Sequence, residues 1–133
     1  PFSLMFLDHD QFKQINDTFR HKDAELTLNW FADLVRKEIR NTDILGRLGG
    51  DEFAVLLPET ELDQASLVAE RIRATLESQK LPVGEVDQVS LTVSIGVASR
   101  EKASLTLENL LKKADAALYH AKRLGRNRVQ IDR

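Results

Sequence analysis

The chain of 133 residues contains no cysteine, which excludes disulfide bonds, thiolate metal sites and cysteine nucleophiles. It also has no apolar run long enough for a membrane span. A large excess of charge of one sign is missing as well, since the chain has 19 Lys and Arg residues and 21 Asp and Glu residues. A chain with so little net charge is not expected to bind duplex nucleic acid or an anionic membrane.

Linkers, low-complexity tracts and internal repeats are also absent from the sequence. The length, with 42% hydrophobic and 30% charged residues, is typical of one soluble globular domain. We therefore expect residues 1–133 to form a single domain. The short, uncharged start does not have the pattern of a signal peptide. Because Pro1 already lies in an apparent strand, we expect the domain to be a piece of a longer protein.

Apolar runs alternate with helical patterns along the chain. Strands are predicted at residues 2–7, 44–48, 53–57, 89–98 and 128–131. The 89–98 strand is expected to be the longest, and a loop is expected from 80 to 88. Helical spacing covers residues 10–40, with a break near 20–23. It recurs in two later segments, at 62–76 and 107–121.

The helix ends and turns also have sequence signals. Thr60 is predicted to cap the second helical unit and Thr106 the last, which Gly125 ends. The pair Gly49-Gly50 between two apolar runs predicts a tight hairpin. With the broken first helix counted as one unit, the order β-α-β-β-α-β-α-β favours an α+β, ferredoxin-like sheet.

Three acidic residues lie at places where they could meet. Asp8 ends the first strand, and Asp51 and Glu52 lie in the glycine hairpin. Carboxylate oxygens from two adjacent loops suit a hard cation such as Mg²⁺, which leaves positions for substrate phosphates. Solvated turn residues are the alternative interpretation.

Other polar residues have two interpretations each. Lys122 and Arg126, four apart at the end of the last helix, could hold a triphosphate or simply complement the helix dipole. Asn16 and Glu25 could contact a guanine edge, or cap a helix and face solvent. His21 has no partner that the sequence can identify, and we expect it to be structural or solvent-facing.

Four ordered motifs resemble one protein family. Residues 7–17 (LDHDQFKQIND) closely resemble the opening motif of the GGDEF family, the diguanylate cyclases, and residues 47–53 (RLGGDEF) match its signature unaltered. Residues 93–97 (VSIGV) and 114–122 (ADAALYHAK), with 125–127 (GRN), also match. The resemblance covers the whole chain. It implies a palm-like fold, similar to nucleotidyl cyclases, with a mostly antiparallel central sheet of about five strands and surrounding helices.

The resemblance also implies an activity, the condensation of two GTP molecules into cyclic di-GMP with release of two pyrophosphates. It implies two Mg²⁺ or Mn²⁺ ions per active site, bound by Asp8, Asp51 and the backbone carbonyl of His9, with Glu52 helping to activate the ribose 3′-hydroxyl. Each domain would hold one GTP, so that catalysis needs a homodimer. The residues implied to bind GTP are Asn16 and Glu25 at the guanine, Phe12, Gly49 and Gly50 near the signature, and Lys122 and Arg126 at the β- and γ-phosphates.

A second, inhibitory site for cyclic di-GMP is implied by Arg40-Asn41-Thr42-Asp43, an R-x-x-D just before the signature. Arg40 and Asp43 would contact the product, and Arg71 stands where the family commonly adds another arginine. An exposed ion pair at a helix end is the alternative interpretation. The family context further implies an upstream sensory or regulatory domain and a cytoplasmic location, including the cytoplasmic part of a membrane-anchored protein.

The chain departs from the family pattern beside the base. Arg20 and Ala24 replace two glycines, and Glu25 replaces an aspartate that is one methylene shorter. The family's leading segment, with its Leu-Thr-Gly-Leu motif, does not precede Pro1 in this sequence. Two functions are therefore open: an active diguanylate cyclase, and a catalytically weak or inactive module that binds cyclic di-GMP or GTP as a receptor. A purely structural partner domain fits badly with so many retained polar motif residues.

Overall fold

The computed structural model describes residues 1–101 and 105–132 of the chain. In that part of the chain the strands are β1 (Phe2–His9), β2 (Ile44–Gly49), β3 (Glu52–Pro58), β4 (Lys80–Val83), β5 (Asp87–Ser90), β6 (Val93–Arg100) and β7 (Val129–Asp132). The helices are α1 (Phe12–Thr18), α2 (His21–Glu38), α3 (Leu62–Ser78) and α4 (Leu107–Arg123). Among the described residues, no helix combines the length and apolarity needed to cross a bilayer.

Five strands form the central sheet in the order β2-β3-β1-β6-β7. All neighbouring pairs are antiparallel except β6 and β7, which are parallel. The four neighbouring strands β2, β3, β1 and β6 thus have the ferredoxin-like arrangement that the sequence predicts, and β7 adds a fifth strand at the edge. The predicted α+β fold is confirmed.

The sheet is covered by helices on both faces. Met5, Leu7 and Val55 face a core shared with α2 and α3, whereas Leu4 and Ala54 face α4 on the other side. Because β1 is buried on both faces, its sequence is a continuous apolar run instead of an alternating one. The central position of β1 carries Asp8 to the edge where β1, β3 and β6 end or begin.

Helix α4 lies unusually close to β6 at Gly96. A Cβ at this position would lie 2.2 Å from the backbone N of Leu118 and 2.4 Å from the backbone O of Ala114. Real Cβ atoms do not make such contacts, so the absence of a side chain at Gly96 sets the distance between α4 and the sheet. The basic end of α4 is thereby fixed relative to β1.

The prediction for residues 80–98 is wrong in part. The expected loop at 80–88 contains β4 and the first half of β5, and these two strands pair as a separate antiparallel hairpin. Its turn includes Gly84, with φ of 73°. The chain then leaves the hairpin after Ser90, so the expected single strand at 89–98 is split, and β6 is no longer than β1. Leu81 and Val83 are buried, which explains why this short segment is ordered against α2.

Thr60 does not cap α3 as predicted. The N-cap residue is Glu61, and it makes no side-chain capping bond. The hydroxyl of Thr60 donates to the carbonyl of Pro58 at 2.9 Å and accepts from Arg40 at 2.6 Å. The hydroxyl is therefore used by the turn before the helix. By contrast, Thr106 caps α4 as predicted, accepting from the backbone N of Asn109 at 3.1 Å.

Candidate active site

Asp8 lies at the carboxyl end of β1, between two other strands. It is opposite Glu52 of β3 and Ser94 of β6. Its side chain is only 10% exposed, and its Oδ2 atom forms a close ion pair with Nζ of Lys122 on α4. Its Oδ1 atom is buried and has no hydrogen-bond partner within residues 1–101 and 105–132. A buried carboxylate oxygen left without a donor is costly, so this atom is suited to a ligand or a cation.

Asp51 lies in the tight turn between β2 and β3. The turn needs Gly49 and Gly50, whose φ angles are 147° and 53°. A Cβ at either glycine would meet nothing within 4 Å, so the backbone here is open to approach. Burial, followed by the negative charge of Asp8, raises the pKa of Asp51 to about 6. The two carboxyl groups therefore share one site and destabilise each other when both are ionised.

This carboxyl pair fits a divalent cation. An added positive charge would offset the repulsion between Asp8 and Asp51 and would satisfy the orphaned Oδ1 atom of Asp8. In the described part of the chain, no group of three or more His, Asp or Glu side chains is arranged to hold a metal. Mg²⁺ typically uses one or two protein carboxylates together with waters and substrate phosphates. The residues thus fit Mg²⁺ held jointly with a phosphate ligand better than a closed protein cage.

The raised pKa of Asp51 gives a stability prediction. Because the folded protein holds this proton more tightly than the unfolded chain does, stability falls as the pH rises from the ordinary value of 3.8 through about 6. In metal-free buffer, Asp51→Asn should therefore unfold at a higher urea concentration than wild type at about pH 8, and at nearly the same concentration at about pH 4. A midpoint difference that is equal at both pH values would contradict the raised pKa.

His9 supports the hairpin turn from the core side. Its ring packs edge-on against Phe31, with centroids 4.1 Å apart, and lies near Phe12 and Phe53. Burial lowers the pKa of His9 to about 4, so the imidazole is neutral. Its Nδ1 atom lies 3.2 Å from the carbonyl O of Asp51 and must carry the proton in order to donate to it. The side chain of His9 thus fixes the turn, a role that the sequence did not indicate.

The carboxyl end of α4 forms a Schellman motif. The backbone N of Gly125 donates to Lys122 and that of Arg126 donates to Ala121, at 3.4 and 3.0 Å. Gly125 has φ of 125°, so it ends the helix as predicted. The motif turns the chain so that Arg126 comes back over the last helical turn.

Lys122 and Arg126 both meet acidic residues of the segment that ends β1. Lys122 pairs with Asp8, and the Nη1 atom of Arg126 lies 3.8 Å from Oδ1 of Asp10. Asp10 is almost fully buried, whereas the side chain of Arg126 is 51% exposed. The two basic side chains therefore lie at the same edge of the sheet as the carboxyl pair, in a position to bind an anion.

The candidate guanine contacts form a connected cluster on the surface. The Nδ1 atom of His21 lies 3.2 Å from Oδ1 of Asn16, and its Nε2 atom lies 3.8 Å from Oε1 of Glu25. Glu25 accepts two bonds from Arg47, at 2.7 and 3.0 Å, which lower the pKa of the carboxyl group. Arg47 also donates to the carbonyl of Gly50, at 2.5 and 2.9 Å. Asn16 and Glu25 are thus brought together, and Arg47 joins them to the signature turn.

The departures from the motif pattern fit the fold. Arg20 has φ of −62° and ψ of 143°, which any residue adopts, so its backbone does not need a glycine. Its side chain is exposed, whereas Ala24 is fully buried in the core. Phe12, expected near the nucleotide, lies in the core against His9. A contact of its side chain with GTP remains a prediction.

The R-x-x-D segment forms a closed turn near the end of α2. Asp43 accepts from the backbone N of Arg40 at 2.8 Å and pairs with its guanidinium at 3.3 Å. That guanidinium also donates to the carbonyl of Pro58 and to Thr60. Arg71 on α3 pairs with Glu38 at 3.1 Å. Arg40 and Arg71 therefore both flank the carboxyl end of α2, each already held by an oxygen acceptor.

Sequence reasoning missed two polar residues of this region. Asp10 and Arg47 lie inside the recognised motifs, yet neither was assigned a role of its own. His21, which was expected to be structural or solvent-facing, has a side chain that is 77% exposed. Asp10 follows Asp8 by two positions, which is the spacing of side chains on one face of a strand, and that signal could have drawn attention to it. The carboxylate partner of Arg47 is Glu25 of α2, which lies 22 positions away, so no local spacing reveals this pair.

A family model described as "Diguanylate cyclase, GGDEF domain" matches residues 1–128. Among curated proteins, Diguanylate cyclase DosC of Escherichia coli K12 is 38% identical over 131 residues, covering 98% of this chain and 28% of the relative. Diguanylate cyclase A of Treponema denticola is 37% identical over 131 residues, covering 98% of this chain and 35% of the relative. The chain thus spans about a third of the length of these curated relatives.

The fold also matches solved structures. The GGDEF domain of DgcB from Caulobacter crescentus, solved in complex with c-di-GMP, superposes with a TM-score of 0.91 at 32% identity. That match covers 98% of this chain and 77% of the solved chain. The likeness therefore extends over the whole sheet and its covering helices.

Proposed function

The chain belongs to the GGDEF family of diguanylate cyclases, and on this premise we propose that it condenses two GTP molecules into cyclic di-GMP with release of two pyrophosphates. The proposal rests on the groups that lie together at the edge of the sheet near Asp8. There an unsatisfied carboxylate oxygen, a second carboxyl with a raised pKa and two basic side chains lie together. The arrangement suits a nucleoside triphosphate bound with a divalent cation.

The residues at this edge divide the task of phosphoryl transfer. When bound by Asp8, Asp51 and the carbonyl of His9, Mg²⁺ or Mn²⁺ would lower the pKa of the ribose 3′-hydroxyl and offset the charge of the phosphates. Glu52, the first residue of β3 and the neighbour of Asp51, accepts the hydroxyl proton in this proposal. Gly49 and Gly50 let the phosphates approach the turn backbone, which carries no side chain there.

Lys122 and Arg126 hold the β- and γ-phosphates in this proposal. Lys122 acts as a point charge and Arg126 as a planar fork. At the other end of the nucleotide, Asn16 and Glu25 contact the guanine, and Arg47 keeps the Glu25 carboxylate ionised. One such domain holds one GTP, so the reaction requires two copies that face each other with their nucleotides between them.

A receptor function is the second candidate, and one observation favours it. Both carboxylate oxygens of Glu25 are already engaged by Arg47. To hydrogen-bond with Glu25, a guanine would have to compete with Arg47 for these carboxylate oxygens. A domain with this pocket would turn over GTP poorly while binding cyclic di-GMP at Arg40 and Asp43.

Nucleotide analysis after incubation separates the two candidates. The protein, at a concentration where it dimerises, is incubated with GTP and Mg²⁺, and the nucleotides are resolved by chromatography. Formation of cyclic di-GMP with matching pyrophosphate release supports the cyclase. Absence of product, together with tight cyclic di-GMP binding that Arg40→Ala abolishes, would establish the receptor instead.

A substitution at the second site gives a further prediction. Arg40→Ala removes the guanidinium that would bind the product, so cyclic di-GMP should inhibit the variant at least about tenfold more weakly. The initial rate without added product should stay close to wild type. The measurement is the initial rate of pyrophosphate release against added cyclic di-GMP. Arg36→Ala, which removes an exposed arginine that pairs with Asp33 on the same helix, serves as the matched control. Equal inhibition of Arg40→Ala and wild type would contradict the product site.

A further inference from the structure

Asp10 is a deeply enclosed acidic side chain at the candidate site, and it takes no direct part in the proposed reaction. Its side chain is 2% exposed. Its Oδ2 atom accepts from the hydroxyl of Thr92 at 2.5 Å and from the backbone N of Asn127 at 3.0 Å. Its Oδ1 atom accepts from the hydroxyl of Ser94 at 2.6 Å and faces the guanidinium of Arg126 at 3.8 Å. One carboxylate thus joins the start of β6 to the turn between α4 and β7.

That turn has an uncommon backbone. Arg126 and Asn127 have φ angles of 66° and 45°, in the left-handed region that residues with a Cβ disfavour. Such a conformation persists only where the surroundings determine it. Here the Schellman bond from Arg126 to Ala121 fixes one side, and the bond from Asn127 to Asp10 fixes the other.

The side chain of Asn127 provides an independent anchor on α3. Its Oδ1 atom accepts from Nη1 of Arg73 at 2.9 Å, and its Nδ2 atom donates to Glu77 in a close contact. Arg73 is itself held by Glu70 and Glu77. The turn is therefore clamped between the end of β1 and the face of α3, while the Arg126 side chain between them is half exposed.

We propose that Asp10 is a positioning residue for triphosphate binding. It fixes the Arg126–Asn127 turn and directs the Arg126 guanidinium alongside Lys122, where the β- and γ-phosphates bind. The separation of 3.8 Å orients Arg126 without a direct hydrogen bond, so its donors stay available for phosphate oxygens. The inference rests on the proposed function, because it needs Arg126 to be a phosphate ligand.

The chemically minimal test is Asp10→Asn. The amide of the asparagine can take two orientations. In one of them its NH₂ group faces the backbone N–H of Asn127, and in the other it faces the guanidinium of Arg126, so that two donors meet in either case. Affinities are measured by calorimetry with Mg²⁺, for GMP and for a GTP analogue whose α–β bridge cannot be cleaved. We expect Asp10→Asn to weaken binding of the triphosphate analogue by about tenfold and to leave GMP binding nearly unchanged. The exposed Asp33→Asn should change neither affinity.

A double-mutant cycle with Arg126→Ala distinguishes positioning from a general structural role. If Asp10 acts through Arg126, adding Asp10→Asn to Arg126→Ala should cause little further loss of triphosphate affinity. Additive losses, or equal losses for GMP and the triphosphate, would overturn the inference. If Asp10→Asn does not fold, Thr92→Val combined with Ser94→Ala gives the same comparison, because it removes the two hydroxyls that hold the Asp10 carboxylate in place. The same selective loss is then expected, and its absence would overturn the inference.

The outcomes also distinguish this inference from the proposed function. If Arg126→Ala weakens triphosphate binding and Asp10→Asn does not, the positioning role fails while the proposed phosphate site stands. If the wild type binds neither the triphosphate analogue nor GTP, both are overturned. Urea unfolding of each variant shows whether the binding changes occur in folded protein.

Discussion

Asp51→Asn is expected to reduce cyclic di-GMP formation by about a hundredfold or more. The substitution removes a carboxylate that would bind the divalent cation beside the transferred phosphate. The substitution preserves the size of the side chain and the glycine turn around it. It should also remove the repulsion with Asp8 that raises the pKa of Asp51, so the variant is expected to be folded and stable at neutral pH. The same change thus lowers activity and raises metal-free stability, a combination that misfolding cannot produce.

The measurement is the rate of pyrophosphate release from GTP and Mg²⁺ under dimerising conditions. Asp33→Asn, on the exposed face of α2 beside Arg36, is the matched control and should retain the wild-type rate. A rate for Asp51→Asn within a few fold of wild type would show that the carboxyl pair is not part of the reaction centre.

Gly96→Ala is expected to have the largest effect on folding. The added methyl group would lie 2.2 and 2.4 Å from backbone atoms of α4, which cannot move aside as a flexible side chain could. Relief requires that α4 shift away from β6, which opens the core on that face of the sheet. We expect the free energy of unfolding to fall by about 3 kcal/mol or more, as measured by urea denaturation.

Gly46→Ala is the control that the same sheet offers. Gly46 lies in β2, and a Cβ there would meet nothing within 4 Å. Its free energy of unfolding should change by no more than about 0.5 kcal/mol. Similar losses for the two variants would mean that glycine content of the sheet, and not the approach of α4, decides the result.

The fold followed largely from local patterns. The apolar run at β1, the helical spacing of Leu28, Phe31 and Val35, and the double glycine of the hairpin each predicted an element that the structure contains. The errors came where a local signal was weak or ambiguous. The β4–β5 hairpin consists of two four-residue strands, too short for a clear alternation. Thr60 had the residue type of a helix cap, but its hydroxyl was taken by Pro58 and Arg40.

The candidate site was predictable only for residues that belong to recognisable motifs. The carboxylates, the glycine turn and the basic pair lie at one edge of the sheet, whereas residue spacing had indicated only that Asp8 and the glycine hairpin could meet. The roles of Asp10 and His9 were not predictable, because their contacts come from distant parts of the sequence. Likewise, Gly96 stood within a matched motif, but only the packed helix shows why a side chain is excluded there.

The central position of β1 has a consequence for how the chain folds. β1 is the first strand in this sequence, but Phe2 lies opposite Pro58 in one neighbouring strand and Arg100 in the other. Contacts so far apart in sequence close large loops before they contribute stability, which slows folding relative to a helical bundle of similar length. During synthesis, the apolar segment Phe2–His9 cannot be paired on both sides until β6 has been made, because its two neighbours in the sheet are β3 and β6. Until then its exposed edge is open to pairing with other chains, so β6 completes the fold and also shields β1 from aggregation.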